Sequence, residues 1–233
     1  MAIYTSKTRI DLEDVGYSNK ITNKAILKIL ENAGARQSET IHFGLNDMEN
    51  VGFSWILLGW KVKILKRPIY NEELTINTWG RESNRIFTYR DYEIYDESGE
   101  LCTIATSKWA IVDINTGKLR ELTPEIIEKY QCETKKVFKE DYTLKLKEPT
   151  TIIRKQEYKA QRRDIDINKH IHNLYYLDYA YEVLPEEVYE APECNNIEIM
   201  YKKQIRLNDE FKCLYTKEKN QNIVTMKSED ENT

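Results

Sequence analysis

The 233-residue sequence is poor in the residues that mark linkers, metal sites and membrane segments. It contains only 8 Gly, 5 Pro and 3 His, and its 4 Cys form no Cys-x-x-Cys pair. Few glycines and prolines argue against a disordered chain, and the scattered cysteines predict free thiols rather than disulfides or a metal site. No run of 18 apolar residues and no apolar N-terminal signal region is present. We therefore expect a cytoplasmic protein that neither enters nor crosses a membrane.

The charge of the chain excludes one class of partner. The formal net charge is −4 at pH 7, so no global positive field would recruit nucleic acid. The longest basic clusters are pairs, namely Lys135-Lys136, Arg162-Arg163 and Lys202-Lys203. Such pairs favour solvated surface, and a docking patch for an acidic partner is the alternative.

Hydrophobic periodicity in the first half predicts a strand, a long helix and four antiparallel strands. Alternation over residues 4–12 is weak, whereas residues 23–37 have apolar side chains at helical spacing, with Thr22 or Asn23 as N-cap and Gly34 near the end. The four strands are predicted at 55–65, 73–81, 85–95 and 101–114. Residues 123–150 contain a short helix over 124–130 and a charged stretch, which we interpret as a linker.

The second half repeats this order. A strand is predicted over 152–165, a helix over 174–188, and strands over 197–207, 210–218 and 222–226. The repeat indicates a duplication, with an N-terminal domain at 1–122 and a C-terminal domain at 151–233. The second domain is one strand short, because residues 227–233 are polar. Either the chain is clipped there or the strand count is wrong.

Residues 164–173, Asp-Ile-Asp-Ile-Asn-Lys-His-Ile-His-Asn, form the densest polar cluster beside apolar structure. Asp166, Asn168 and His170 alternate, so an extended backbone would turn all three to one side, next to the amides of a helix N-terminus. Ile165, Ile167 and Ile171 would face the core. An imidazole can serve as base toward water, an amide can hold a developing oxyanion, and a carboxylate can orient either. A capped helix without chemistry is the plainer interpretation, and three such groups on one side favour hydrolysis.

The segment resembles the Asp-x-Asn-x-His motif of the acyl-acyl-carrier-protein thioesterases, the double-hotdog enzymes of plant plastids and bacteria. The likeness covers nearly the whole chain. The first half contributes Trp79 after Thr-Ile-Asn-Thr, Arg90-Asp91-Tyr92 followed by residues 96–99, and Ser107-Lys-Trp109 with Asp113. The resemblance implies an α+β tandem hotdog, in which a curved antiparallel sheet wraps each of two long helices.

The same resemblance implies hydrolysis of acyl-carrier-protein thioesters in fatty acid biosynthesis. His170 would be the base, Asn168 the oxyanion donor and Asp166 the orienting group. The first half would hold the acyl chain, in a pocket formed by Ile29, Trp55, Leu57, Trp60 and Trp109. The carrier protein would be the partner and would dock on Arg162, Arg163, Lys202 and Lys203. Water is the only co-substrate, so no cofactor or metal is expected, and a homodimer is left open.

Two positions depart from the family pattern. Gln204 and Ile205 stand where the family often has Glu followed by Cys, so a cysteine nucleophile is absent there and Gln204 can orient water without taking its proton. His172 stands where the family commonly has Asn, and either contacts substrate or begins a helix. Two alternatives stay open, namely a hotdog thioesterase for coenzyme A esters and a non-catalytic acyl-binding sensor.

Overall fold

The computed structural model describes residues 3–81, 85–140, 146, 148–149, 151–189 and 194–228. Two compact units divide the chain. Unit 1 comprises Met1–Leu144 and Cys194–Tyr201, and unit 2 comprises Lys145–Glu193 and Lys202–Thr233. A segment of the second half of the sequence, 194–201, therefore belongs to the first unit.

The secondary structure is mixed and the strands predominate. The strands are β1 (Tyr4–Arg9), β2 (Phe53–Ile64), β3 (Glu73–Gly80), β4 (Phe87–Tyr95), β5 (Leu101–Asp113), β6 (Leu119–Arg120), β7 (Arg154–Lys159), β8 (Asn196–Met200), β9 (Glu210–Glu218) and β10 (Gln221–Ser228). The α-helices are α1 (Asn23–Thr40), α2 (Met48–Val51), α3 (Pro124–Tyr130), α4 (Tyr175–Glu182) and α5 (Glu186–Tyr189). Among the described residues, no helix is long and apolar enough to span a bilayer.

Unit 1 is built on one antiparallel sheet. Its strand order is β1-β3-β4-β5-β2-β8, and the short β6 pairs with β5. The predicted strand, helix and four-strand order of the first half is confirmed. Strand β8 adds to this sheet by pairing with β2, from Gly59 opposite Met200 to Lys63 opposite Asn196.

Helix α1 supplies the apolar surface that covers the sheet of unit 1. The Thr22 hydroxyl caps it by accepting a 3.1 Å hydrogen bond from the Ala25 amide. Gly34 does not end the helix, which continues to Thr40. A Cβ at Gly34 would lie 3.0 Å from the Tyr92 hydroxyl. Glycine at this position therefore allows helix and sheet to approach closely and does not end the helix.

A bulge in β2 sets which side chains share a sheet face. Leu57 lies opposite Trp109 and Gly59 opposite Lys108, so Leu58 is the extra residue, and Trp60 then lies opposite Ser107. The bulge returns Trp60 to the face that carries Leu57, since side chains alternate along a strand.

Unit 2 contains a three-stranded sheet of order β10-β9-β7. The expected second long helix over 174–188 is wrong, because α4 has 8 residues and α5 has 4. Pro185 lies between them, lacks a backbone N–H and disfavours helical geometry at the preceding residue.

Two predicted strands of the second half are shorter than expected. The strand predicted over 197–207 ends at Met200, and residues 202–209 form a loop in which Asn208 has a left-handed φ of 72°. The strand predicted over 152–165 ends at Lys159, and a 3-10 turn over Arg162–Asp164 follows. Of the polar end of the chain, residues 229–233 lie outside the described residues.

Aromatic side chains fill the core of unit 2. Tyr179 meets Tyr158 and Phe211 with ring centroids 4.8 and 4.9 Å apart. The buried set is Ala160, Ile171, Tyr179, Val183, Ile205, Phe211, Cys213 and Tyr215.

Candidate active site

The same loop occurs once in each unit. Residues 11–23 in unit 1 and 161–173 in unit 2 both run through a 3-10 turn, a four-residue reversal and an isolated antiparallel bridge. Each residue of the first loop has its counterpart 150 positions later. Four backbone hydrogen bonds within the loop recur. The first two are Asp14 amide to Asp11 carbonyl (3.0 Å) with Asp164 to Gln161 (3.0 Å), and Gly16 to Lys20 (3.0 Å) with Asp166 to His170 (2.8 Å). The other two are Asn19 to Gly16 (2.9 Å) with Lys169 to Asp166 (3.0 Å), and Thr22 to Asp14 (2.9 Å) with His172 to Asp164 (2.8 Å).

A left-handed residue reverses the chain in both loops. Asn19 has a φ of 59° and Lys169 a φ of 63°, and the Lys169 amide donates to the Asp166 carbonyl across 3.0 Å. The segment from Asp166 to His170 is therefore a turn, and the expectation of an extended segment is wrong. Ile167 sits at the turn tip with 67% of its surface exposed, so the expectation that it faces the core is also wrong.

The two loops differ at the three positions of the candidate catalytic residues. Where unit 2 has Asp166, Asn168 and His170, unit 1 has Gly16, Ser18 and Lys20. Because the unit 1 loop keeps the same backbone hydrogen bonds without a carboxylate, an amide and an imidazole, these three groups are not needed to build the loop. This comparison within one chain singles out the three candidates from the sequence.

Asp166 organises the turn through its side chain. Its Oδ1 accepts hydrogen bonds from the backbone amides of Asn168 (2.8 Å) and His170 (3.2 Å). The Asn168 amide group makes only a long 3.5 Å contact with Oδ2. The carboxylate thus orients both neighbours through the backbone, and the exposed Asn168 side chain keeps most of its hydrogen-bonding capacity.

The surroundings of His170 favour the neutral form of its imidazole. Nδ1 is buried and has no hydrogen-bond partner among the described residues. Burial lowers the pKa of His170 below 6.5, and the nearby Arg206 cation lowers it further, while Asp166 and Asp209 oppose both. Arg206 lies across an isolated antiparallel bridge from His170. A neutral imidazole at physiological pH can accept a proton.

The backbone amides at the start of α4 already donate hydrogen bonds, whereas the sequence pattern suggested free amides there. His172 Nδ1 accepts from the Leu174 amide at 3.3 Å, and the His172 carbonyl accepts from the Tyr175 amide at 2.9 Å. His172 occupies the position that Thr22 has in unit 1, but its ring accepts from the amide of Leu174, which precedes α4, and so it does not cap the helix as Thr22 does. This local contact favours the helix-start interpretation of His172. The Leu174 and Tyr175 amides at this helix start therefore already have acceptors.

The departures at 204 and 205 have different surroundings. Gln204 is exposed and Ile205 is buried in the core of unit 2. The Ile205 carbonyl accepts a 2.8 Å hydrogen bond from the Ile171 amide, as the Pro68 carbonyl does from Ile21 in unit 1. By this correspondence Arg67 is the counterpart of Gln204.

The five residues expected to form the acyl pocket all belong to unit 1. Leu57, Trp60 and Trp109 share the inner sheet face, and Ile29 lies on the buried side of α1. Trp55 packs instead at one end, edge-on to Phe53 and Tyr130 with ring centroids 6.0 and 5.6 Å away.

The same face carries the polar side chains of Arg90 and Ser107, which the sequence pattern marked as family landmarks but did not assign to a site. Arg90 is 7% exposed and donates to the Gln37 side chain and, at 3.3 Å, to the Thr78 hydroxyl. Trp109 Nε1 donates to the Ser107 hydroxyl at 2.6 Å. Alternation in β4 places Arg90 with Tyr92 and Ile94 on one face, and this pattern could have revealed the buried guanidinium.

The expected docking residues all lie in unit 2 and are exposed. Arg163 Nε is 3.6 Å from the Asp164 carboxylate, and Lys202 Nζ is 3.5 Å from Glu148. Unit 1 has Leu12 and Glu13 where unit 2 has Arg162 and Arg163, so of the two loops only the one in unit 2 carries this basic pair. Within the described residues, no three His, Cys, Asp or Glu side chains form a group that could hold a metal ion.

Two family models cover most of the chain. Residues 1–130 match the acyl-ACP thioesterase N-terminal domain, and residues 147–233 match the C-terminal domain. The chain belongs to the acyl-ACP thioesterase family. It is similar to oleoyl-acyl carrier protein thioesterase 2 of Arabidopsis thaliana, at 25% identity over 95% of this chain and 65% of the relative. The corresponding enzyme of Coriandrum sativum is also 25% identical, over 96% of this chain and 65% of its own length. The chain thus spans about 65% of the length of these relatives.

Solved structures show the fold of the chain. An acyl-ACP thioesterase from Bacteroides thetaiotaomicron superposes with a TM-score of 0.86 at 21% identity, covering 98% of this chain and 93% of that one. The 12:0-ACP thioesterase from Umbellularia californica gives 0.86 at 17% identity with the same coverage. The fold is therefore α+β and hotdog-type, with antiparallel sheets.

Proposed function

We propose that the chain hydrolyses acyl-acyl-carrier-protein thioesters and releases free fatty acids. The observation that carries the proposal is the duplicated loop, whose second copy alone bears Asp166, Asn168 and His170. Family membership supports the reaction class, and the lowered pKa of His170 supports its role as base. We further propose a tandem hotdog with domains at 1–122 and 151–233, joined by 123–150.

The proposed mechanism uses one water molecule and no covalent enzyme intermediate. His170 takes a proton from water, and the oxygen forms a bond to the thioester carbonyl carbon. Negative charge develops on the carbonyl oxygen, which the Asn168 amide group stabilises. The C–S bond then breaks, the carboxylic acid forms, and the departing thiolate of the carrier's prosthetic arm receives the proton from His170. Asp166 fixes the positions of Asn168 and His170 by accepting hydrogen bonds from their backbone amides.

We propose that the acyl chain of the substrate binds in unit 1 and that the carrier protein docks on unit 2. The aromatic core of unit 2 is filled by its own side chains, whereas Ile29, Leu57, Trp60 and Trp109 offer an apolar lining between α1 and the sheet, with Trp55 at its end. The basic pair Arg162 and Arg163, with Lys202 and Lys203, would attract an acidic carrier.

The decisive experiment compares the two copies of the loop. His170→Ala is expected to lower kcat on acyl-carrier-protein substrates by roughly 10²- to 10⁴-fold. Lys20→Ala, at the matched position of unit 1, should leave kcat unchanged, and both variants should keep the wild-type circular dichroism spectrum. Near-normal turnover by His170→Ala would remove the base assignment.

Matched acyl-carrier-protein and coenzyme A substrates test the class of thioester. Higher kcat/KM on the coenzyme A ester would favour the coenzyme A alternative. Tight acyl binding with no turnover on either substrate would favour a sensor.

A further inference from the structure

The unit 2 loop contains a buried carboxylate, Asp164, that has no part in the proposed reaction. Asp164 is 3% exposed. Its Oδ2 accepts hydrogen bonds from the Gln161 amide at 2.8 Å and from the Tyr179 hydroxyl at 2.6 Å. A buried carboxylate with two short hydrogen bonds has a tightly defined position.

Asp164 ties together both ends of the segment that carries the chemistry. Its side chain holds the Gln161 amide at the start of the loop, and its carbonyl accepts from the His172 amide at 2.8 Å at the end. The residues between these two anchors include all three candidates. A shift of Asp164 therefore moves the turn that presents His170.

Tyr179 connects this anchor to helix α4. Burial raises the pKa of Tyr179, and the Asp164 carboxylate raises it further, so the hydroxyl keeps its proton and donates. The ring is fixed by edge contacts with Tyr158 and Phe211. The hydroxyl is thus a rigid donor whose position the hydrophobic core of unit 2 sets.

The unit 1 loop has the anchor without the tyrosine. Asp14 Oδ2 accepts from the Asp11 amide at 3.2 Å, and its carbonyl accepts from Thr22 at 2.9 Å. The Asp14 carboxylate also pairs with the ammonium group of Lys28 from α1. This ammonium group contacts Glu13 at 3.1 Å as well, and the Lys28 side chain is one-third exposed. The phenol donor belongs only to the copy that has the catalytic residues.

We propose that Asp164 and Tyr179 are positioning residues for the thioesterase reaction, which hold the turn from Asp166 to His170 in its reactive geometry. The inference rests on the proposed function for its kinetic consequence. Its structural consequence, the placement of the His170 ring, can be measured without any substrate.

Tyr179→Phe is the sharpest test because it keeps the ring and removes only the hydroxyl. We expect kcat on acyl-carrier-protein substrate to fall by about tenfold or more, since small misplacements of catalytic groups are costly, while KM changes by less than about twofold. Lys28→Met, which removes the corresponding donor from Asp14, should leave both constants unchanged. Asp164→Asn, which retains one acceptor oxygen, should give a smaller loss of kcat than Asp164→Ala.

Proton NMR of the histidine rings supplies a readout that does not depend on activity. The chain has three histidines, His42, His170 and His172, so each ring signal can be assigned with one His→Gln variant. In Tyr179→Phe the titration midpoint of His170 should change, while the ring chemical shifts of His42 at a fixed pH should match those of the wild type.

The two measurements separate the possible failures. If the wild-type chain hydrolyses no thioester but Tyr179→Phe changes the His170 titration, the proposed function fails and the positioning role stands. If kcat and the His170 titration of Tyr179→Phe both match wild type, the positioning role is overturned. If Tyr179→Phe lowers the melting temperature with no effect on kcat or on the His170 ring, the pair is purely structural and the inference is again overturned.

Discussion

The backbone amide of His170 donates a 3.2 Å hydrogen bond to the Asp166 carboxylate, although Nδ1 of the same histidine has no partner among the described residues. The carboxylate therefore fixes the backbone of the proposed base rather than its ring. In a serine-hydrolase triad the acid orients the imidazole directly. Here the orientation of the imidazole depends on the loop as a whole.

This relationship predicts different effects for two substitutions of Asp166. Asp166→Asn retains Oδ1 as an acceptor and should lower the free energy of unfolding by less than about 0.5 kcal/mol. Asp166→Ala removes the acceptor of one exposed and one part-buried amide, and should lower it by about 1 kcal/mol. We expect kcat to fall in both variants, and further in Asp166→Ala. Urea unfolding and steady-state kinetics measure the two effects, and equal destabilisation by both substitutions would contradict the account of the turn.

The pH dependence of the reaction should report the charges around His170. Protonated His170 cannot act as base, so kcat/KM should be lost as pH falls through its pKa, which burial and Arg206 hold below 6.5. The groups that face it are Arg206, Asp166 and Asp209. Arg206→Gln should move the acid limb of the profile to higher pH, and Asp209→Asn should move it to lower pH. Shifts of equal sign in the two variants would argue that His170 is not the titrating group.

The sequence predicted most of the first unit because its patterns are local. Residues 23–37 have helical spacing over several turns, and the structure extends that helix only to Thr40. The short helix over 124–130 coincides with α3. Alternation in 73–81 and 101–114 locates β3 and β5 within one residue at each end.

The candidate site was predicted by residue type and missed in geometry. Asp166, Asn168 and His170 were identified from their chemistry, but alternation suggested a strand where Lys169 adopts a left-handed φ. Unlike Gly or Asn, lysine gives no local signal for that conformation. The link between Asp164 and Tyr179 joins residues 15 positions apart through a tertiary contact, which periodicity cannot reveal.

The cysteines provide a test of direct hydrolysis. Burial raises the pKa of Cys102 to about 11 and that of Cys213 to about 12, whereas Cys194 is exposed. Iodoacetamide at pH 8 should therefore modify Cys194 and leave Cys102 and Cys213 unmodified in the folded protein. Because the proposed mechanism uses no thiol, the modified protein should keep its kcat. Peptide mass spectrometry identifies the labelled sites, and loss of turnover in proportion to labelling would require a cysteine in the mechanism.

If the chain acts on acyl-carrier-protein thioesters as proposed, the basic pair of the unit 2 loop should govern capture of the carrier protein. Arg162 and Arg163 replace Leu12 and Glu13 of the unit 1 loop, although the backbone is the same. The pair is therefore not required by the fold of the loop. Charge reversal of both to Glu should raise KM for acyl-carrier-protein substrate by about tenfold at low ionic strength, and the effect should shrink in 0.5 M salt as screening increases. Arg162→Glu alone should leave kcat nearly unchanged, because Arg162 is not one of the three catalytic candidates. Arg163 Nε lies 3.6 Å from the Asp164 carboxylate, so charge reversal at 163 should lower kcat as well.

The controls for this prediction come from the rest of the surface. Lys118→Glu changes an exposed charge in unit 1 and should not alter KM. Lys202→Glu should have a smaller effect than reversal of the arginine pair, because Glu148 lies 3.5 Å from Lys202 and already offsets its charge.

Kinetics with a carrier-protein substrate and with a coenzyme A ester of the same acyl chain distinguish docking from chemistry. A rise in KM confined to the carrier-protein substrate fits a docking surface. An equal rise on both substrates would place the arginine pair at the acyl or pantetheine site instead, and no change on either would leave the carrier to bind elsewhere on the molecule.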